Sequence, residues 1–187
     1  MTYDLVVVDP PWSWSSWSIK GAGRSPKYRT IADMASVNVP ALLARDAVVV
    51  LWVIDSMLPQ AMALVEAWGL QYVTVGLYWT KHKPSGKEHL GTGYYTRANP
   101  EQAWILRRGK GLRVIGRGKV RRWLHAPVGK HSEKPDEAYD RLEQLFGDVR
   151  RIDVFARKQR PGWDAIGNEI DGLDISEAIS RIASSHN

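Results

Sequence analysis

The sequence contains no cysteine, which excludes a disulfide framework, a thiolate zinc site, an iron–sulfur cluster and a cysteine nucleophile. No apolar run approaches the ~20 residues of a membrane-spanning helix, so we expect no membrane partner. The first residues show no basic segment ahead of an apolar one, and we therefore expect no signal peptide and a cytoplasmic location. The five histidines lack the spacing of metal ligands, and no metal site is expected.

Phenylalanine is scarce, since the chain has two against nine tryptophans. A buried indole N–H needs a hydrogen-bond acceptor, so we expect several of the tryptophans to line a cleft. Trp14 and Trp17 lie beside serine-rich spacers, which suits either a lid over a ligand or simple packing. With 187 residues, the chain is long enough for one domain with a hydrophobic core of its own.

Acidic residues are missing from residues 102–132, which hold nine lysines and arginines. The whole chain has 26 basic and 20 acidic side chains, so its net charge is +6 and the remainder carries −3. Interleaved glycines and Trp123 indicate a loop that follows nucleic-acid phosphates, and a solvated hairpin face is the alternative. A second basic loop at residues 81–87 is expected to extend the patch. The candidate substrate-binding residues of the longer segment are Arg107, Arg108, Arg121 and Arg122.

Buried strands alternate with helices along the chain, which predicts an α/β fold with a mainly parallel sheet and helices on both faces. The helix expected at residues 133–146 has Ser132 as its cap and Pro135 in its first turn. Strands are predicted at residues 3–8, 47–54, 71–80, 103–106 and 149–155. Helices are predicted at residues 36–44, 55–68, 133–146 and 175–184.

The tetrapeptide Asp9-Pro10-Pro11-Trp12 directly follows the first buried strand, where α/β sheets bind ligands. One reaction that suits this motif is methylation of the exocyclic amine of adenine. This amine is a poor nucleophile because its lone pair is delocalised into the ring. An enzyme that methylates it must accept hydrogen bonds from its N–H groups as charge develops, and the Asp9 carboxylate and Pro10 carbonyl are suitable acceptors. Pro11 restricts the residue before it, and Trp12 offers a flat face for the base. These four are the predicted catalytic residues.

Other segments accompany this tetrapeptide along nearly the whole chain. They are residues 28–34, 51–53, 77–81, 91–101, 131–137 and 167–172. Together with residues 3–12, they resemble the MT-A family of N6-adenine methyltransferases, named for the seventy-kilodalton catalytic subunit of the mRNA adenosine methyltransferase. The chain has no zinc-finger region, and in this it is similar to short bacterial and phage members that modify DNA.

The resemblance implies a Rossmann-like fold that uses S-adenosylmethionine, permuted so that the catalytic motif precedes the main cofactor strand. It implies a single methyltransferase domain at residues 1–172 and a C-terminal helix or tail at residues 173–187. The implied reaction is methyl transfer to the N6 amine of adenine in nucleic acid, with DNA favoured over RNA. Either a homo-oligomer or a partner subunit is compatible with this reading.

The resemblance also assigns roles to residues outside the tetrapeptide. It places Lys134 on the methionine carboxylate at a helix start, where anions bind well. The segment after Arg157 is shorter than the common pattern, and Gln159 is the candidate substitute in the ribose clamp. The implied cofactor-binding residues are Asp9, Lys134, Arg157, Asn168 and Glu169. The implied residues of the target-base or methyl-donor pocket are Tyr28, Trp52 and Trp79, with Asn99 and Glu101 on the base side.

Two other functions remain open. One is a catalytically silent subunit that binds nucleic acid, against which the intact Asp9 and Trp12 argue. The other is methylation of the exocyclic amine of cytosine, whose enzymes usually carry Ser in place of Asp9 and Tyr in place of Trp12. Binding of S-adenosylmethionine distinguishes the silent subunit from an enzyme.

Overall fold

The computed structural model describes residues 1–12, 34–91, 93, 95–129 and 133–184. Tyr28, Trp14, Trp17 and Ser132 lie outside these ranges. The described strands are β1 (Tyr3–Val8), β2 (Leu43–Val53), β3 (Gln71–His82), β4 (Glu101–Arg108), β5 (Trp123–Pro127), β6 (Arg151–Val154) and β7 (Asp164–Ile166). The described α-helices are α1 (Leu58–Ala67), α2 (Asp136–Phe146) and α3 (Ile175–Ser184), and short 3-10 turns lie at Met34–Ser36, Val39–Leu42 and Asp55–Met57.

The seven strands form one sheet in the order β5-β3-β4-β2-β1-β6-β7. β4 pairs antiparallel with β2 and β3, whereas the other neighbours pair in parallel. Six described strands therefore run in one direction and β4 runs against them. Their six carboxyl ends and the beginning of β4 meet at one edge, called the site edge below. The predicted α/β class with a mainly parallel sheet is confirmed.

Two hydrophobic clusters cover the two faces of the sheet. α1 and α3 pack on one face, and α2 packs on the other with residues Ala138, Tyr139, Leu142 and Phe146. The middle of each central strand is apolar because both of its faces are buried, as in Val6 and Val7 of β1, which point into opposite clusters. Polar groups of these strands lie at the two ends, and one of these ends is the site edge.

The helix predicted at residues 36–44 is wrong. Two 3-10 turns occupy this region, and Leu43 already begins β2. Ser36 can cap a helix, but Pro40 lacks an N–H and Val37 and Val39 are β-branched, which disfavours an α-helix. The Val37 carbonyl instead accepts a hydrogen bond from the indole of Trp68 at 3.1 Å, which ties this turn to the end of α1.

The predicted start of α2 needs correction as well. The helix begins at Asp136 rather than at residue 133, and Pro135 occupies the position before it with extended backbone angles. Pro135 is therefore outside the first turn. Two strands were not predicted, because β7 has only three residues and β5 lies inside the basic segment that was expected to be a loop.

The C-terminal helix α3 packs on the sheet. Ile175, Ala178 and Ile179 are buried in the same cluster as Tyr3 of β1. The predicted bounds of this helix are confirmed. Within the described residues, no helix combines the length and the apolar character that crossing a membrane requires.

Replacing Ile179 by alanine is expected to lower the free energy of unfolding by about 3 kcal/mol, because it leaves a cavity between α3 and the sheet. Urea unfolding measures this change. The adjacent, exposed Ser180→Ala is the control, with an expected change of less than about 0.5 kcal/mol. Equal midpoints for the two variants would show that α3 does not stabilise the fold.

Candidate active site

Four charged side chains of alternating sign lie in a row at the site edge. Lys134 Nζ is 2.7 Å from Asp9 Oδ2 and 3.2 Å from Glu101 Oε2, and Glu101 Oε1 is 2.5 Å from Lys81 Nζ. These side chains are 5 to 16% exposed, so each charge depends on its neighbours in the row for compensation. We call this row, Asp9–Lys134–Glu101–Lys81, the ion-pair chain.

The topology explains why these four residues meet. Asp9 follows the last residue of β1, and Lys81 is the penultimate residue of β3. Glu101 is the first residue of β4, which reaches the same edge because this strand runs in the opposite direction. Lys134 comes from the segment before α2. Strands that are far apart in sequence thus deliver one residue each to a single edge.

The ion-pair chain changes the pKa values of its members in different directions. Burial raises the pKa of Asp9 above its ordinary value, against the opposing attraction of Lys134, and Glu101 adds to the increase. Burial also acts to raise the pKa of Glu101, but the attraction of Lys134 and Lys81 outweighs it and the pKa is lowered. Burial acts to lower the pKa of Lys134, and its two carboxylate neighbours reverse that effect and raise it. Asp9 is therefore the member best suited to accept a proton.

Two tryptophan rings form a layer beneath the ion-pair chain. Trp52 and Trp79 meet edge to face with their centroids 6.3 Å apart, and each is 1% exposed. Lys134 Nζ lies 5.3 Å from the centroid of Trp52, and Lys81 Nζ lies 5.1 Å from that of Trp79. Both rings support the two ammonium groups through cation–π contacts. Their place in a target-base or methyl-donor pocket stays a prediction.

The tetrapeptide after β1 is anchored at both ends. The Asp9 N–H donates to the Val154 carbonyl of β6 at 3.3 Å, and the Trp12 N–H donates to the Pro10 carbonyl at 2.8 Å. The indole N–H of Trp12 donates to the Trp52 carbonyl at 2.9 Å, and the ring is half-buried. The carbonyl of Pro10 keeps a second lone pair for another donor. Asp9, Pro10 and Trp12 are thus positioned before any ligand arrives.

Arg160 is a buried hub behind the ion-pair chain. Its guanidinium donates to the Lys134 carbonyl, to Asp153 Oδ2 and to Asp136 Oδ1, each at 3.0 Å. Its centre lies 3.7 Å from the ring centroid of Tyr139, whose hydroxyl also donates to Asp153 Oδ2 at 2.8 Å. By joining β6, the start of α2 and the backbone of Lys134, Arg160 acts as a positioning residue for the ammonium that contacts Asp9.

Three of the predicted cofactor residues, Arg157, Asn168 and Glu169, follow the ends of β6 and β7. Arg157 is close enough to Asp9 to act to lower its pKa, and Asn168 and Glu169 are exposed in the turn after β7. Gly167 lets this turn approach the end of β6, because a Cβ there would lie 2.7 Å from the Ala156 carbonyl oxygen. Between these ends, Phe155 has a φ of 65°, a strained angle of the kind that clusters at functional sites.

Two predicted cofactor residues have other partners in the structure. Lys134 contacts carboxylates of the protein itself, and it precedes α2 rather than lying in its first turn, which holds Asp136 and Glu137. Its role towards a methionine carboxylate stays a prediction. The amide of Gln159 donates to the carbonyl of Trp163 at 2.5 Å and closes its own loop.

Asn99, predicted on the base side, holds the backbone of β3 in place. Its Oδ1 accepts from the Lys81 N–H at 2.6 Å, and its Nδ2 donates to the carbonyls of Lys81 and His89 at 2.9 and 2.7 Å. Glu101 faces Lys81 and Lys134. Both residues therefore act on the ion-pair chain, and any contact with a base stays a prediction.

The basic segment does not form one patch. Arg107 and Arg108 end β4 at the edge opposite the site, where Arg108 donates to the carbonyls of Pro40 and Leu43. Arg122 instead lies beside β3, where it donates to Thr74 Oγ1 at 3.3 Å. Gly116 does not supply flexibility, because the backbone packs so closely on the end of α2 that a Cβ there would lie 2.2 Å from the Gln144 carbonyl oxygen.

Sequence reasoning missed several members of the site. Lys81 was assigned to a basic loop, whereas it ends a strand and pairs with Glu101. Arg160 and Asp153 had no predicted role. The available signal was the single acidic residue inside the apolar strand β6, because a buried carboxylate requires a cationic partner.

A parallel sheet with one reversed strand, helices on both faces and a polar site beyond the strand ends defines a Rossmann-like methyltransferase fold. The sequence profile of the MT-A70 family matches residues 3–169. The chain therefore belongs to the MT-A70 family, as the sequence resemblance predicted.

Known relatives are similar over most of this chain. The type II methyltransferase M.MunI of a Mycoplasma species is 29% identical over 90% of this chain and 78% of its own length. The N6-methyladenosine RNA methyltransferase MTA1 of Cryphonectria parasitica is 29% identical over 90% of this chain and 52% of its own. The human N(6)-adenosine-methyltransferase catalytic subunit METTL3 is 26% identical over 92% of this chain and 29% of its own length. The chain spans only about a quarter of the plant relatives.

The buried Asp153 gives a testable pH dependence. Burial raises the pKa of Asp153 to about 7, against the hydrogen bond from Tyr139 and the attraction of Arg160. Because the folded protein holds this proton more tightly than the unfolded chain, Asp153 stabilises the fold most below its ordinary pKa of 3.8, and this contribution is lost as the pH rises through about 7. The loss is at most ~4 kcal/mol, at 1.36 kcal/mol for each pKa unit.

Urea unfolding of the wild type and Asp153→Asn at several pH values measures this effect. The stability of the wild type relative to the variant is expected to decrease between about pH 4 and 7. Asp136→Asn is a control of opposite sign, because hydrogen bonds from Lys158 and Arg160 overcome desolvation and lower the pKa of Asp136. A constant difference for Asp153→Asn would show that Asp153 is ionised throughout.

Proposed function

We propose that this protein transfers a methyl group from S-adenosylmethionine to the exocyclic N6 amine of adenine in nucleic acid, and we favour DNA over RNA. The observation that carries the proposal is the placement of Asp9-Pro10-Pro11-Trp12 at the end of central strand β1, with Asp9 fixed by Lys134 at 2.7 Å. Family membership supports it, as do the relatives named for adenosine methylation. The preference for DNA draws on the similarity to a type II methyltransferase, of which the chain covers 78%.

The residues of the tetrapeptide divide the work by their chemistry. The Asp9 carboxylate and the Pro10 carbonyl accept hydrogen bonds from the adenine amine, which orients its lone pair and stabilises the positive charge that develops there. The raised pKa of Asp9 makes it the better acceptor when the methylated amine loses its surplus proton. Trp12, whose ring edge is anchored, presents a ring face to a base that has left its helix or is already single-stranded.

The donor set of the site edge fits S-adenosylmethionine. The carboxylate of Asp9 suits an amino group, and the exposed Asn168 and Glu169 suit ribose hydroxyls or an adenine edge. The cationic Arg157 lies on the same side, near Asp9. The bound molecule supplies an electrophilic methyl group on a sulfonium. The tight approach of Gly167 to Ala156 brings the ends of β6 and β7 close together.

Asp9→Ala is expected to lower methyl transfer by about 10²-fold or more with the fold intact, because it removes the main acceptor. The assay measures labelled methyl from S-adenosylmethionine on adenine in DNA and RNA, single- and double-stranded. Asp55→Ala removes a carboxylate that follows β2 at the same edge and should keep full activity.

Each outcome of this assay has a definite meaning. Label on adenine that is lost in Asp9→Ala supports the proposal and names the substrate. Full activity of Asp9→Ala would falsify the mechanism. Binding of S-adenosylmethionine without transfer to any of the four substrates would indicate a missing partner or target sequence. Absence of both would favour the silent binding subunit.

Changing Arg121 and Arg122 to alanine together should weaken nucleic-acid binding and reduce the slope of log affinity against log salt by up to about two, one for each lost phosphate contact. Arg107→Ala with Lys110→Ala removes the same charge from the opposite edge of the sheet and should leave the slope nearly unchanged. Equal slopes for both double variants would show that Arg121 and Arg122 are only solvated surface charges.

A further inference from the structure

A row of exposed rings lies on the outer part of the sheet, next to the candidate site. Along β5, Leu124 and Ala126 are buried under α2, so the alternation of a strand sends Trp123 and His125 to the other face. The centroid of His125 is 6.2 Å from that of Trp123 and 4.6 Å from that of His82 on β3. We call Trp123, His125 and His82 the ring row.

The ring row is held rigidly while the largest ring is open to solvent. The indole N–H of Trp123 donates to Thr80 Oγ1 at 2.8 Å, and Thr80 Oγ1 lies 3.1 Å from His125 Nδ1. Arg141 of α2 donates to the backbone carbonyl of Trp123 at 2.7 Å from the other side of the sheet. Trp123 is nevertheless 65% exposed. The indole N–H of Trp123 thus has its hydrogen-bond acceptor within the protein, while the ring stays exposed. Base stacking requires such an exposed ring face.

The charge around the ring row suits a polyanion. Residues 71–82 and 117–130, which include both strands of the row, contain no aspartate or glutamate and include Arg117, Lys119, Arg121 and Arg122. Glu88, which forms a backbone bridge to His82, is the acidic residue that lies against the row. Tyr78, which is paired in register with Trp123, is exposed as well, whereas the exposed aliphatic Val73 lies at the opposite end of β3. This composition favours nucleic acid over an apolar protein partner.

The direction of the ring row links it to the site. Trp123 is in register with Tyr78, and the ring row extends along β5 and β3 to His82 at the site edge. Lys81, the residue before His82, ends the ion-pair chain. A nucleic-acid strand with one base at Trp12 can therefore continue across this edge onto β3 and β5.

We propose that the ring row is a stacking platform for single-stranded nucleotides that flank the target base, with Trp123 as its main contact. This inference rests on the proposed function for the identity of the target base. It adds that the enzyme holds an unpaired flanking strand by the faces of its bases, which makes single-stranded or locally opened nucleic acid the preferred form.

Binding of a short, fluorescein-labelled single-stranded DNA, measured by fluorescence anisotropy without cofactor, tests the platform. Trp123→Leu keeps an apolar side chain but removes the flat ring, and it should weaken binding on the order of tenfold, as expected for the loss of one base stack. Trp123→Phe restores a flat ring and should recover most of the affinity. Tyr72→Leu is the matched control. Tyr72 is an exposed aromatic residue of β3, the strand that also holds His82, but it lies at the end away from the site edge. Thermal melts confirm that each variant folds.

A second oligonucleotide, with abasic sites and an unchanged phosphate backbone, separates stacking from charge. Wild type and Trp123→Leu should bind this abasic strand equally. Equal affinity of the two proteins for the intact strand overturns the proposal. An equal loss on intact and abasic strands also overturns it, because the contact would then be to the backbone. A change in oligomeric mass for Trp123→Leu with unchanged DNA affinity would identify a protein interface instead. Absence of both methyl transfer and S-adenosylmethionine binding, with this pattern of affinities intact, would refute the proposed reaction and leave the platform standing.

Discussion

The ammonium group of Lys134, buried between two carboxylates, is the interaction on which the organisation of the site depends. Breaking a buried ion pair by removing one partner typically costs about 3 to 5 kcal/mol, because the remaining charge is left without compensation. Asp9 and Glu101 therefore cannot move independently of Lys134, and Glu101 in turn holds Lys81. A loop after β1, the start of β4, the end of β3 and the approach to α2 are fixed relative to one another by one continuous set of charges.

Two further side chains, Trp52 and Arg160, hold Lys134 in place. Trp52 places an aromatic face against its ammonium, and Arg160 holds its backbone carbonyl from the direction of β6. A flexible lysine is in this way confined at both ends of its side chain. The result is a site whose charges are arranged before ligands bind, which is the condition for electrostatic stabilisation without reorganisation during the reaction.

The sequence predicted the fold class, the central strands and the position of the tetrapeptide, because residues 5–8 of β1 and 47–53 of β2 are unbroken apolar runs and Asp9-Pro10-Pro11-Trp12 directly follows β1. It failed where tertiary contacts decide. Ser36 as a possible cap suggested a helix before β2, whereas Pro40 and the contact with Trp68 produce 3-10 turns. The ion-pair chain joins residues from four segments, and no local pattern reveals which lysine meets which carboxylate. The charge density in residues 102–132 was visible, but its division between the end of β4 and the start of β5 follows from how these strands lie in the sheet.

The reversal of β4 has a further consequence for the connection between β3 and β4. Lys81 precedes this connection and Glu101 ends it, so the ion pair between them closes residues 82–100 into a ring of chain at its base. Asn99 adds a second closure through its hydrogen bonds to Lys81. Because these contacts join the two ends of the loop, the positions of Lys81 and Glu101 do not depend on the length of the loop between them. This loop can therefore change in length or composition without displacing the charges at its foot.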